Sequence, residues 1–257
     1  MRVAVSRSHP RVVYAASALG LFRSENRGSS WEGFFNLAGI TDLGVHPEDP
    51  SFLWATTDRG LWRSLDGGRT FVPVEGGSDL RLEVLVVDPS EPGFLYAGSD
   101  DGRLLVDENG AVRIVSLRSQ QVTTGGRARP KRDLRTAQIA ARSEGFELYG
   151  PHVNLFLNAL VVDGRFPHVV YAGTRRGVFR SEDRGVSWEL RDSGLGAPDV
   201  LDLVVDPADS YSRNPEEEAI LIAATNGSGL FRSEDSGRSW MSVERGPAGR
   251  EIRSLAM

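Results

Sequence analysis

Ser181-Glu182-Asp183-Arg184-Gly185-Val186-Ser187-Trp188 and Ser233-Glu234-Asp235-Ser236-Gly237-Arg238-Ser239-Trp240 are two copies of one pattern, Ser-x-Asp-x-Gly-x-Ser-Trp. Ser24 to Trp31 is a third copy, with Asn26 for the aspartate and Gly28 kept. Ser64 to Phe71 is a fourth, with Asp66 and Gly68 kept and Phe71 for the tryptophan. A fifth, Val106 to Arg113, keeps Gly110 and an acidic Glu108. The residues read as a hairpin. Glycine takes φ > 0 where the chain doubles back, and the aspartate accepts bonds from turn amides. The two serines tie the flanking strands together, and the tryptophan covers the hairpin with a large apolar face.

Working outward, each copy sits in a four-strand unit. Strand A is a β-branched run that ends in Asp-Pro, as in Leu85-Val86-Val87-Asp88-Pro89 and Leu203-Val204-Val205-Asp206-Pro207. Such a run predicts burial on both faces, next to a central axis, and Asp-Pro opens a turn. Strand B is Phe94-Leu95-Tyr96-Ala97-Gly98, matched by Val169-Val170-Tyr171-Ala172-Gly173. Strand C is Gly177-Val178-Phe179-Arg180-Ser181, matched by Gly229 to Ser233, and strand D starts at the hairpin tryptophan. A short β repeat of this kind predicts an all-β propeller of about five four-stranded blades, one domain over residues 1–257. The hairpin glycines at 28, 68, 110, 185 and 237 give a bare blade of about 40 residues and two insertions, 116–155 and 207–219. A short helix is expected from Asp133 to Arg142. Glu251 to Met257 reads as another strand A, so one inner strand is in excess. The ring either closes by overlap or is a piece of a longer propeller.

There is no cysteine, which excludes disulfides and thiolate metal sites. A net charge of −5 argues against nucleic-acid binding. Lys131 is the only lysine, so arginine carries the positive charge. No apolar run approaches the ~20 residues that span a bilayer. The start reads directly as strand with no signal peptide, so the expectation is cytoplasmic unless the true N-terminus lies upstream.

The hairpin resembles the Asp box, or BNR repeat, of the sialidase superfamily. Together with Val-Asp-Pro, Tyr-Ala-Gly-Thr and Gly-Val-Phe-Arg-Ser, it is most similar to the sortilin-like and photosystem II stability-factor-like branch, which has bacterial members. The resemblance implies a propeller in which the Asp box is a folding device, placed away from any catalytic face. A sialidase would also need Arg-Ile-Pro, substrate-binding arginines and a nucleophilic tyrosine. Arg-Ile-Pro is not present; Gly164-Arg165-Phe166-Pro167 is the nearest string. Tyr14, Tyr96 and Tyr171 share one strand-B position and read as core. His9, His46, His152 and His168 read as turn or surface residues, with no metal spacing.

Strands alternate direction, so the Asp-box and A–B turns share one face, and the B–C and D–A loops share the other. That second face varies between blades, which is where binding is expected on a rigid repeat scaffold. Its candidates are Asp58 and Arg59, Asp100 and Asp101, Arg175 and Arg176, and Arg127, Arg129 and Arg132 of the basic insertion. The expectation is a non-catalytic, monomeric scaffold without cofactor or metal. Its partner would be a protein, acidic in character, while Arg184 on the opposite face would not matter for binding. The alternatives are a BNR-type glycoside hydrolase and a glycan-binding module.

Overall fold

The computed structural model describes residues 2–17, 19–117, 155–196, 199–206, 218–243, 252, 254 and 255. Twenty strands form five four-stranded antiparallel sheets, with no helix among the described residues. Blade 1 holds β1 (Arg2–Val5), β2 (Val13–Ser17), β3 (Gly20–Ser24) and β4 (Glu32–Phe34). Blade 2 holds β5 (Ile40–Val45), β6 (Leu53–Thr57), β7 (Gly60–Ser64) and β8 (Val72–Ser78). Blade 3 holds β9 (Leu82–Val87), β10 (Phe94–Ser99), β11 (Arg103–Glu108) and β12 (Ala111–Ser116). Blade 4 holds β13 (Leu157–Val162), β14 (Val170–Thr174), β15 (Gly177–Ser181) and β16 (Glu189–Leu190). Blade 5 holds β17 (Val200–Val205), β18 (Leu221–Thr225), β19 (Gly229–Ser233) and β20 (Met241–Ser242). The first strands of the five blades, β1, β5, β9, β13 and β17, pack in succession and border a shared channel of about 340 Å³. This is the expected propeller.

The apolar core lies in the seams between blades. Each of four buried clusters joins two consecutive blades: Tyr14 and Leu21 with Leu43 and Leu53, Trp54 and Leu61 with Leu85 and Leu95, Tyr96 and Leu104 with Leu160 and Trp188, Tyr171 and Val178 with Leu203 and Trp240. A half-apolar sheet must bury its faces against another layer, and here that layer is the next blade. The inner strands match the expected double burial only in part. Leu85, Leu160 and Leu203 are buried, while Val86, Val161 and Val204 are half-buried along the channel.

The repeated hairpin uses each of its residues. Ser181 Oγ accepts the Gly185 amide at 2.8 Å and donates to Asp183 Oδ1 at 2.8 Å. The same Oδ1 accepts the Ser187 amide at 2.7 Å, and the Ser187 hydroxyl donates to Oδ2. Asp66 and Asp235 do the same with Thr70 and Ser239. In blade 1, Asn26 keeps the geometry without charge: its Oδ1 accepts the Ser30 amide at 2.8 Å, and its Nδ2 donates to Ser30 Oγ at 2.8 Å. Gly185 meets two constraints at once. Its φ is +80°, and a Cβ there would stand 2.9 Å from Leu104 of the preceding blade.

Blade 3 differs from its sequence alignment. Asp107, not Glu108, is the working acid: its Oδ1 accepts the Gly110 amide at 2.7 Å, taking the part that serine plays elsewhere. The acceptor stands three residues before the glycine rather than four, and Asn109 and Gly110 take φ 53° and 92°, as a two-residue hairpin requires. Glu108 is exposed. The D strands also begin after the tryptophan position, at Glu32, Val72, Glu189 and Met241. The bulk of the 116–155 and 207–219 insertions, with the helix expected at Asp133 to Arg142, lies outside the described residues.

Burial alone would raise the Asp183 carboxyl, but the bonds from Ser187 and Ser181 outweigh it and hold the group below its ordinary 3.8. A depressed folded-state value stabilises the fold fully above the unfolded value and loses that effect as pH falls through the folded one. Asp183→Asn should therefore keep the turn, as Asn26 does, and lose this share of the acid dependence. The gap in Tm between wild type and Asp183→Asn should be largest near neutral pH and close below about pH 3.8. A gap that is constant with pH would count against this account.

Candidate binding cleft on the loop face

In all five blades a hairpin amide donates to the chain entering strand B: Arg27 to Arg11, Gly67 to Ser51, Asn109 to Gly93, Arg184 to His168 and Ser236 to Ala219, at 2.7–3.0 Å. These bonds put the hairpins and the A–B turns on one face. The B–C and D–A loops occupy the other, at the opposite end of the channel. There a cleft of about 500 Å³ is lined by Arg2, Glu83, Phe156, Leu157, Asn158, Arg175 and Leu201, drawn from blades 1, 3, 4 and 5.

The cleft is built largely on seam bonds. Arg2 Nε donates to Thr41 O at 3.3 Å and lies 3.6 Å from Asp42. Asp42 accepts the Leu43 and Leu85 amides at 2.9 Å each, tying blade 2 to blade 3. Burial raises its carboxyl despite Arg2 and those amides. Asn158 Nδ2 reaches Val200 O at 2.7 Å, across to blade 5. Arg175 is held twice: its amide donates to Phe156 O at 3.3 Å, and its guanidinium lies 3.9 Å from the centre of the Phe156 ring. Among the described residues, neither Arg175 nor Arg176 has a carboxylate within 4 Å. Arg176 is exposed, its amide bonded to Thr174 Oγ1 at 3.0 Å.

The other expected loop residues do not join them. Asp101 is consumed by its own loop, bonded to Ser99 Oγ and paired with Arg103 at 2.7 Å. Asp100 lies 3.5 Å from Arg81, which also pairs with Glu83 at 2.9 Å. Asp58 and Arg59 are exposed on the B–C loop of blade 2 and do not line the cleft. Arg127, Arg129 and Arg132 lie outside the described residues. Arg184 lies on the hairpin face, as expected, and there serves a seam. It packs 4.0 Å over Phe94 and pairs with Glu91 at 2.8 Å, bridging blades 4 and 3. Arg2, Glu83, Phe156, Asn158 and Leu201 had no sequence signal beyond interrupting or flanking the strand-A pattern.

Groups with catalytic chemistry sit elsewhere or alone. Tyr14, Tyr96 and Tyr171 are fully buried. Burial first, then the Asp88 charge, pushes the Tyr96 phenol up to about 12, the wrong direction for a nucleophile. His46 Nδ1 accepts the Glu48 and Asp49 amides, doing the turn work that Asp88 Oδ1 does for Ser90 and Glu91. Asp192, beside Gly177 on the loop face, is the carboxyl that burial raises without a cation against it.

No family model matches the chain. It is 30% identical over 132 residues to a xyloglucanase of Hypocrea jecorina, covering 45% of this chain and 16% of that protein. It is 24% identical over 220 residues to a probable oligoxyloglucan-reducing end-specific xyloglucanase of Neosartorya fischeri, covering 81% and 24%. The chain thus spans a quarter or less of these relatives. Among solved structures it is similar to an ancestral GH74 enzyme, with TM-score 0.70 and 19% identity over 96% of this chain and 31% of that one. It is also similar to YCF48 bound to D1 peptide, with TM-score 0.51 and 13% identity over 91% and 63%. The likenesses to solved structures establish a β-propeller fold.

A raised folded-state value means that ionising Asp192 opposes folding, and the penalty builds as pH rises above the ordinary 3.8 and is complete at the folded value. Asp192→Asn should match wild-type stability at pH 3 and exceed it at pH 7 in urea unfolding. Equal stability at both values would remove the burial account.

Proposed function

We propose that the chain is a non-catalytic Asp-box propeller of the sortilin-like and photosystem-factor-like branch, a monomeric scaffold that binds an acidic protein segment in the loop-face cleft. The observation that carries this reading is the Arg175 guanidinium, held 3.9 Å from the centre of the Phe156 ring with no carboxylate partner among the described residues. A guanidinium fixed in this way presents its N–H fork ready for a carboxylate, and little ordering remains to oppose binding. The inner strands are sheet edges, so the cleft margins also offer main-chain groups to an extended segment. Binding should weaken with salt, because exposed charges are screened within ~10 Å at 0.1 M ionic strength.

The second reading, a glycoside hydrolase, is favoured by the xyloglucanase relatives and by the raised Asp192 carboxyl. That chemistry needs two carboxyls about 5–10 Å apart, and Asp42, Asp100 and Asp101 are already engaged by arginines or seam amides.

A fluorescent Glu/Asp-rich peptide should bind at low salt. Replacing Arg175 and Arg176 with alanine should weaken it at least about tenfold, the loss of one charge-assisted contact at 1.5–3 kcal/mol. Arg11→Ala, on the hairpin face, should leave it unchanged. Turnover of xyloglucan by wild type that is lost in Asp192→Asn would instead establish the hydrolase.

A further inference from the structure

Among the described residues, blade 1 and blade 5 each carry one face that no blade covers. Trp31 has the pose of Trp188: each indole Nε1 donates to its own hairpin glycine, Gly28 O at 3.0 Å and Gly185 O at 3.1 Å. Yet Trp31 is 44% exposed and Trp188 4%. The cause lies outside the hairpin. A Cβ on Gly185 would meet Leu104 of the preceding blade, whereas one on Gly28 would meet only Trp31 itself. Val3 tells the same story, for it is 58% exposed where its counterparts Leu43, Leu85, Leu160 and Leu203 are buried.

On the far side of blade 5, Ile222 and Leu230 are half-buried where Tyr171 and Val178 of blade 4 are fully buried. Val243 stands where Arg191 stands, its amide bonded to Leu230 O as Arg191's is to Val178 O. The Arg191 carbonyl accepts the Trp240 indole at 2.9 Å, and that bond closes the seam between blades 4 and 5. A second, independent feature marks the same face. The Leu255 amide donates to Asp202 Oδ2 at 2.7 Å, repeating the bond from Leu85 to Asp42 Oδ2 at 2.9 Å that joins blades 2 and 3. The other oxygen of each aspartate accepts the next amide in its own strand, from Leu203 and Leu43. Leu255 thus lies in the register that the inner strand of a following blade requires.

We propose that this face of blade 5 is a docking surface for one further blade with the same Ser-x-Asp-x-Gly-x-Ser-Trp hairpin. Its tryptophan would lie on Ile222 and Leu230 and donate to the Val243 carbonyl. The occupant is chosen by continuity with the seams already present, two of which, on blades 3 and 4, seat such a blade.

Counting on from Leu255, position 257 corresponds to Val162 of blade 4 and to Val45 of blade 2. A copy of residues 163–195 joined after Met257 therefore supplies a turn, three strands and a hairpin in register. A copy of residues 46–80 does the same with a diverged repeat, in which Phe71 stands for the tryptophan. At least one of the two extended chains should show slow amide exchange in the added strands and a Tm several degrees above the parent, and Leu230→Arg, at the position where Val178 is buried in the seam of blades 4 and 5, should abolish both gains. If the added residues of both exchange as unfolded chain and Tm does not move, the proposal is overturned. Head-to-tail dimers of the unextended chain, lost in Trp31→Arg, would also overturn it, since a second copy would then be the occupant.

Discussion

The fold depends on a glycine in each hairpin, pinned by a side-chain oxygen, which in blades 2 and 4 is pressed against the third strand of the blade before it. The bond from glycine amide to Ser24, Ser64, Asp107, Ser181 or Ser233 holds the turn in its left-handed conformation. The missing Cβ lets Gly68 and Gly185 sit on Leu21 and Leu104. A blade alone would leave both sheet faces in water, and cohesion comes only when neighbours meet. Stability of this architecture is close to a sum over blades and seams. A change in a hairpin therefore acts on two blades at once.

The sequence made the hairpins, the strand-B and strand-C positions and the shared face of the turns legible, because each rests on a local pattern that repeats. His46 could be matched to Asp88 for the same reason, and both do prove to collect turn amides. Blade 3 went astray where the match was anchored on Gly110 at a fixed spacing. The acceptor there stands three residues before the glycine, at Asp107, and only strand register reveals it. The cleft was barely legible. Arg175 stood out as an exposed loop cation, but Arg2, Glu83, Phe156 and Asn158 come together from separate blades. Asp100 and Asp101 looked like free carboxylates because a sequence does not show that Arg81 and Arg103 neutralise them.

The arginine-rich composition takes on meaning once partners are known. Arg165 is buried against Asp163 and Arg2 braces Asp42 at the channel, so both serve the scaffold. Arg184 crosses a seam. Against this background of paired guanidinium groups, one that lies over an aromatic ring and has no carboxylate beside it among the described residues is informative in a way that net charge is not. The hairpin face is spent on cohesion, and the loop face is where residues are released from that duty.

The amide-to-carbonyl stitch inside every blade has a consequence for how the molecule is made. Each stitch joins residues about 16 positions apart, as Arg27 and Arg11 or Gly67 and Ser51. Contacts of such short range form early, because little loop-closure entropy opposes them. A blade can therefore take shape as soon as its own residues have left the ribosome, and each new blade finds a finished surface to land on. Assembly then runs from the first blade towards the last, in step with synthesis. The long-range closure that makes many β proteins slow to fold is replaced by a succession of short local ones.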